Sequence, residues 1–191
     1  MGEMRFRFME RLPITRRALA FAQARHGDQH RAGDGARFVI HPVEVAALLA
    51  RLEHGDHVVA AAVLHDVLED TDAERTDLAL RFGEQVAALV SAVSDDSAIE
   101  DEEARKAEVR ERVRAGGRDA LAVYAADKVS KVRELRMLIA GGLDERTAAV
   151  KLHRYQASLE MLEDAIGDTH LVQLLRFELE ALQQLPPAPN A

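Results

Sequence analysis

This sequence predicts an all-helical single domain of about nine helices, and three observations carry that expectation. Apolar residues recur at three- and four-residue spacing through most of the chain, and no stretch shows the sustained alternation of a half-buried strand. Glycines cut the pattern at helix-length intervals: Gly27, Gly55, Gly83, Gly116-Gly117, Gly141-Gly142 and Gly167. Finally, 48% of residues are hydrophobic but only 4% are aromatic, and Trp is absent, so the core is built from Ala, Leu and Val.

Taken in order, residues 1–14 read as an N-terminal extension and residues 15–184 as the domain. Thr15 is placed to cap a first helix, whose stripe of Ala18, Leu19, Phe21, Ala22 and Ala24 runs to about His26. The segment 27–40, with Gly27, Gly33 and Gly35, is a loop carrying Gln29, His30, Arg31 and Arg37. His41-Pro42 opens a second helix through Leu49, because Pro suits a first helical turn. Gly55 ends it, and Asp56 is placed to cap a helix over about 57–70. Short helices follow over 76–82 and 84–94, the latter with Val86, Leu89, Val90 and Val93 at helical spacing. The acidic run from Asp95 leads into a solvated helix ending near Arg114. A long helix over about 118–140, one over 145–166 capped by Asp144, and one over 169–184 complete the domain. Residues 185–191, with Pro186, Pro187 and Pro189, read as a disordered tail.

A chain of 191 residues fits one domain, and a net charge of −8 offers no basic excess for duplex nucleic acid. An acidic protein that binds phosphates must do so locally, through a metal ion or a few placed cations. There is no cysteine, which excludes disulfides and thiolate metal sites. No apolar run approaches the roughly 20 residues of a membrane span, and the start lacks a signal-peptide core. A cytoplasmic protein without a membrane association is expected.

The chemistry concentrates in Val63-Leu64-His65-Asp66-Val67-Leu68-Glu69-Asp70-Thr71. On a helix, His65, Asp66, Glu69 and Asp70 fall within an arc of about 140°, directly after the core run Val58–Ala62. Buried unpaired charges cost several kcal/mol each, and a divalent cation would remove that cost. Two further residues are candidates to meet the pair: His41 before Pro42, and Asp127 among small apolar residues of the long helix. Each has a plain structural reading as well. His41 can cap its helix, Asp127 can pair with Lys128 or Lys131, and Glu69 and Asp70 can mark a solvated helix end. Together, two His and two Asp form a nitrogen and oxygen set that favours Mn²⁺, Fe²⁺ or Mg²⁺ over structural zinc. Such an ion activates water and neutralises phosphate charge, with Glu69 and Asp70 one turn away to handle protons.

His41-Pro42, Leu64-His65-Asp66-Val67-Leu68-Glu69-Asp70-Thr71 and Ala126-Asp127-Lys128, in this order, resemble the motifs of HD-superfamily metal phosphohydrolases. More narrowly they resemble the hydrolase domain of RelA/SpoT proteins and the stand-alone small alarmone hydrolases. Phe21-Ala22 leading to His26, Gln29 and Arg31 and the Phe82-Gly83 step add to the match. The resemblance implies an HD-type helical domain that binds Mn²⁺ through His41, His65, Asp66 and Asp127. It implies catalytic roles for Glu69 and Asp70, nucleotide contact by Arg31, and phosphate positioning by Lys128. The implied reaction removes the 3′-pyrophosphate of (p)ppGpp, a small nucleotide. Three departures lie on the substrate side: Tyr124 stands where the family has Lys, Lys131 where it has Asn, and Arg37-Phe38 where it has Pro-Tyr, in a loop from Arg31 to His41 that is one residue longer. Tyr124 and Lys131 are therefore expected to tune which nucleotide is accepted. They also raise a second reading, a metal-dependent phosphatase for another nucleotide or a phosphorylated cofactor such as NADPH; a third is a helical module that senses a nucleotide without turnover, against which the presence of both Glu69 and Asp70 speaks.

Overall fold

The computed structural model describes residues 6–31 and 34–184. The expected tail, 185–191, lies outside the described residues, as do residues 1–5 of the expected extension. A 3₁₀ turn, Arg7–Met9, precedes ten α-helices: α1 Pro13–His26, α2 Ile40–Arg51, α3 Asp56–Leu64, α4 Val67–Asp70, α5 Arg75–Phe82, α6 Glu84–Val93, α7 Glu102–Ala115, α8 Gly117–Ala140, α9 Glu145–Ile166 and α10 His170–Gln183. All but the one-turn α4 have two turns or more, in keeping with the all-helical expectation. Among the described residues the only extended pairing is a single backbone bridge between His30 and Arg37.

The core is aliphatic, as the composition requires, and α3 is its axis. Every residue from Val58 to Leu64 is buried, with α3 packed against α1, α2, α6 and α8. A helix apolar all round needs neighbours on every side, and α3 has them. The long helix α8 runs alongside, burying Ala120–Asp127 without interruption. Met9 is buried too, so the segment before α1 packs onto the domain, together with Phe6, Phe8 and Leu12.

Helix ends show where local reading succeeds and fails. Asp144 accepts the Thr147 amide at 2.9 Å, the cap expected for α9. Thr15 does not cap α1, which starts earlier, at Pro13. Its free amides go instead to Asp56 of α3, which accepts from Ile14 N at 2.8 Å and Thr15 N at 2.9 Å and from the Thr15 hydroxyl at 2.7 Å. One carboxylate thus ties the start of α1 to the start of α3. Gly83 joins α5 to α6 at φ 92°, a left-handed value that a side chain would strain.

Candidate functional site

The span read as one helix over 57–70 is two, and the break falls at His65-Asp66. α3 ends at Leu64, His65 and Asp66 form a turn with Asp66 at φ −93° and ψ −6°, and α4 restarts on the Asp66 carbonyl. Within a continuous helix, adjacent side chains diverge by about 100°. The break lets both face the same point. Ser94, at the end of α6, packs beside the turn: its hydroxyl donates to the Val90 carbonyl at 2.8 Å and lies 3.3 Å from the His65 carbonyl.

His41 comes to this point from the first turn of α2, and Asp127 from the middle of α8. His41 Nε2 and His65 Nε2 are 3.2 Å apart. Asp127 Oδ1 lies 3.2 Å from the first and 3.4 Å from the second. Asp66 touches both rings with different oxygens, His65 at 3.2 Å and His41 at 3.5 Å. His41, His65 and Asp127 form the tightest group, with one atom from each within 4.8 Å of the others. All four residues are at most 5% exposed.

The donor set demands a positive charge between its members. His65 Nδ1 sits 2.7 Å from the Ala62 carbonyl, which only accepts, so Nδ1 carries the proton and Nε2 is bare in the neutral ring. Asp66 Oδ2 and Asp127 Oδ1 are buried without a hydrogen bond. With the ring neutral, lone pairs therefore face one another in a buried site, an arrangement that costs several kcal/mol unless a proton or a metal cation sits among them. Burial pulls the His65 imidazole down, but Asp66 and Asp127 outweigh it and hold its pKa up at about 9. Asp66 shows the reverse: burial raises it, yet His65 and Lys131 bring it to about 2. In both cases the cluster recruits positive charge, and a divalent ion fits the donors present.

The cluster opens, through His65, Asp66 and Asp127, onto a cavity of about 180 Å³. Glu69 lines it beside them. Protein surrounds this carboxyl on most sides although solvent reaches it, and desolvation followed by the Asp66 charge raises its pKa to about 7. The Asp95 amide donates to Glu69 Oε1 at 2.7 Å and holds it in place. Asp70 is likewise raised, first by desolvation and then by Asp66, and its carbonyl takes the Gln29 side-chain amide at 2.8 Å.

Cations form the opposite wall. Lys128 Nζ donates to Asp127 Oδ2 at 2.7 Å and lies 4.3 Å from the centroid of the Tyr124 ring. Lys131 projects into the cavity, its ammonium favoured by Asp66 despite burial. Tyr124 is buried, with its hydroxyl 2.9 Å from Ser158 Oγ. Sequence reasoning did not single out Lys151, Arg154 and Tyr155 of α9 or Lys106 of α7, which line the same cavity. A signal existed: Lys151, Arg154, Tyr155 and Ser158 fall on one face of α9 at three- and four-residue spacing. Arg31 lines a different cavity, with Glu44, Ser130 and Met137. There its guanidinium is bound by Asp34 and by Glu44.

A family model for the HD domain matches residues 18–176. The guanosine-3′,5′-bis(diphosphate) 3′-pyrophosphohydrolase of Aquifex aeolicus (strain VF5) is 36% identical over 121 residues, which are 62% of this chain and 17% of that much longer relative. The guanosine-3′,5′-bis(diphosphate) 3′-pyrophosphohydrolase MESH1 of Homo sapiens is 34% identical over 160 residues, covering 78% of this chain and 88% of MESH1. A solved structure, described as a metazoan ortholog of SpoT that hydrolyses ppGpp and plays a role in starvation responses, superposes with a TM-score of 0.80 at 26% identity. It covers 90% of this chain and 97% of that one.

Proposed function

The chain belongs to the HD domain family, and from that premise we propose that it is a divalent-metal phosphohydrolase that removes the 3′-pyrophosphate of guanosine 3′,5′-bis(diphosphate). One observation carries the reading. A single cavity joins a buried His and Asp cluster, whose orphaned carboxylate oxygens suit a cation, to a wall of Lys128, Lys131, Lys151 and Arg154. A nucleotide with two diphosphates needs both ends at once. The ion in this reading is Mn²⁺, held by His41, His65, Asp66 and Asp127, since imidazole and carboxylate without thiolate suit such an ion. Bound there, it supplies Lewis acidity, drawing charge from a phosphoryl oxygen and acidifying water.

The chain's own groups do the rest. Water oxygen bonds to the phosphorus attached at the 3′-oxygen, the P–O3′ bond breaks, and GDP and pyrophosphate leave. Glu69, raised to about 7, takes the proton from water near neutral pH. Asp70, raised by burial, returns one to the departing 3′-oxygen. Lys128 does two things: it holds the outer oxygen of Asp127 and presents charge to a phosphate. Lys131 and Tyr124 shape the cavity on the nucleotide side.

Product identification tests the reading. The Mn²⁺-loaded protein is incubated with ppGpp, with NADPH and other nucleotides as comparison substrates. Release of GDP and pyrophosphate, lost in Glu69→Gln, is the expected result. Turnover of NADPH with none of ppGpp, or release of single phosphates only, would overturn the substrate.

A further inference from the structure

Behind His41, on the side away from the catalytic cavity, stand two residues that the cavity does not account for. His41 Nδ1 lies 3.0 Å from Ser130 Oγ. Ser130 in turn donates to Glu44 Oε2 at 3.1 Å. Arg31 Nη1 donates to the same carboxylate oxygen at 3.0 Å. Ser130 lies one turn after Asp127 on α8, and Glu44 one turn after His41 on α2. The two helices that bring ligands together therefore also close this second contact.

The direction of each bond follows from proton counting. Glu44 as a carboxylate only accepts, so the single hydroxyl proton of Ser130 goes to it. The serine oxygen then has only lone pairs for the ring, and Nδ1 must carry the proton. A neutral imidazole holds one proton, so Nε2 is left bare. Without Glu44, the serine can turn its proton onto Nδ1 and the ring proton moves to Nε2. That proton would then point at His65 Nε2, 3.2 Å away, and the lone pair facing the cluster would be gone.

We infer that Ser130 and Glu44 are positioning residues: they hold His41 in the tautomer whose Nε2 lone pair faces Asp66 and Asp127, and so set the affinity for the divalent ion. The inference rests on the metal reading above and goes beyond it, because neither residue touches the ion or the substrate. Removing such an outer partner weakens metal binding by about 10- to 100-fold.

The test is a Mn²⁺ titration of the metal-stripped protein, followed by the electron paramagnetic resonance signal of free Mn²⁺. Ser130→Ala and Glu44→Ala should each raise the dissociation constant by about 10- to 100-fold. Ser130→Thr, which keeps the hydroxyl, should restore it. The Glu44 side chain is 48% exposed, so Glu44→Ala carries the test even where loss of a buried hydroxyl lowers stability. Wild-type affinity in both alanine variants, whatever their melting temperatures, overturns the inference. In that case loss of Mn²⁺ in His65→Ala leaves the metal reading standing. A wild-type protein that binds no Mn²⁺ overturns both.

Discussion

Glu69→Gln separates catalysis from stability in one residue. Glutamine keeps an oxygen to accept the Asp95 amide but cannot ionise. In the metal-free protein, the Glu69 carboxyl titrates at about 7 rather than the ordinary 4.5. Between those values the folded state keeps a proton that the unfolded chain has released, so stability is fully present at lower pH and falls as pH rises to about 7. The full difference corresponds to about 3 kcal/mol. Solvent reaches this cavity, and screening reduces the figure to about 1 kcal/mol. The metal-stripped variant should match wild type at about pH 4 and exceed it by about 1 kcal/mol at about pH 8. Urea midpoints at unchanged slope read this out, and thermal melts should move by roughly 2–4 °C. The same substitution should lower turnover by about 10²–10⁴-fold with Mn²⁺ content intact, because general acid–base help is worth that much. A stability difference that does not change with pH would refute the claim that this carboxylate is held desolvated beside Asp66. An unchanged rate would remove Glu69 from proton transfer.

His65→Ala and Asp66→Ala should each purify without stoichiometric metal, by elemental analysis. Full metal content in both would mean the ion sits elsewhere. Lys131→Asn removes the cavity ammonium that faces Asp66 and Asp127, so it should change the ratio of kcat/KM between substrates differing in ribose phosphorylation. Equal scaling of every substrate would mean Lys131 serves only to balance those acids. Asp56→Ala deprives α1 of its cap and should destabilise the fold by about 1–2 kcal/mol without altering kcat; an unchanged denaturation midpoint would show that solvent satisfies those amides equally well.

The sequence by itself determined the succession of helices and the aliphatic core. Both follow from local patterns: apolar spacing fixes which face is buried, and glycines mark where each helix stops. It also exposed His65, Asp66, Glu69 and Asp70, because charge placed directly after Val58–Ala62 contradicts its surroundings and invites an explanation. Tertiary structure decided what no local pattern encodes. The break after Leu64 sets His65 and Asp66 beside His41 and Asp127, which come from helices distant in sequence. Asp56 reads as the cap of its own helix, yet it caps α1, whose amides lie 41 and 42 residues earlier. The cationic face of α9 is an ordinary polar face until packing sets it on the cavity beside the His and Asp cluster. Arg31 reads as a loop charge free to meet a nucleotide, and packing binds it to Glu44 and Asp34. Ser130 and Glu44 are 86 residues apart, and only the closure of α8 on α2 makes them neighbours of His41. The physical reason is common to all five. Periodicity and capping propensity act over a few residues, whereas a charge or hydrogen bond finds its partner through space, after the core has packed.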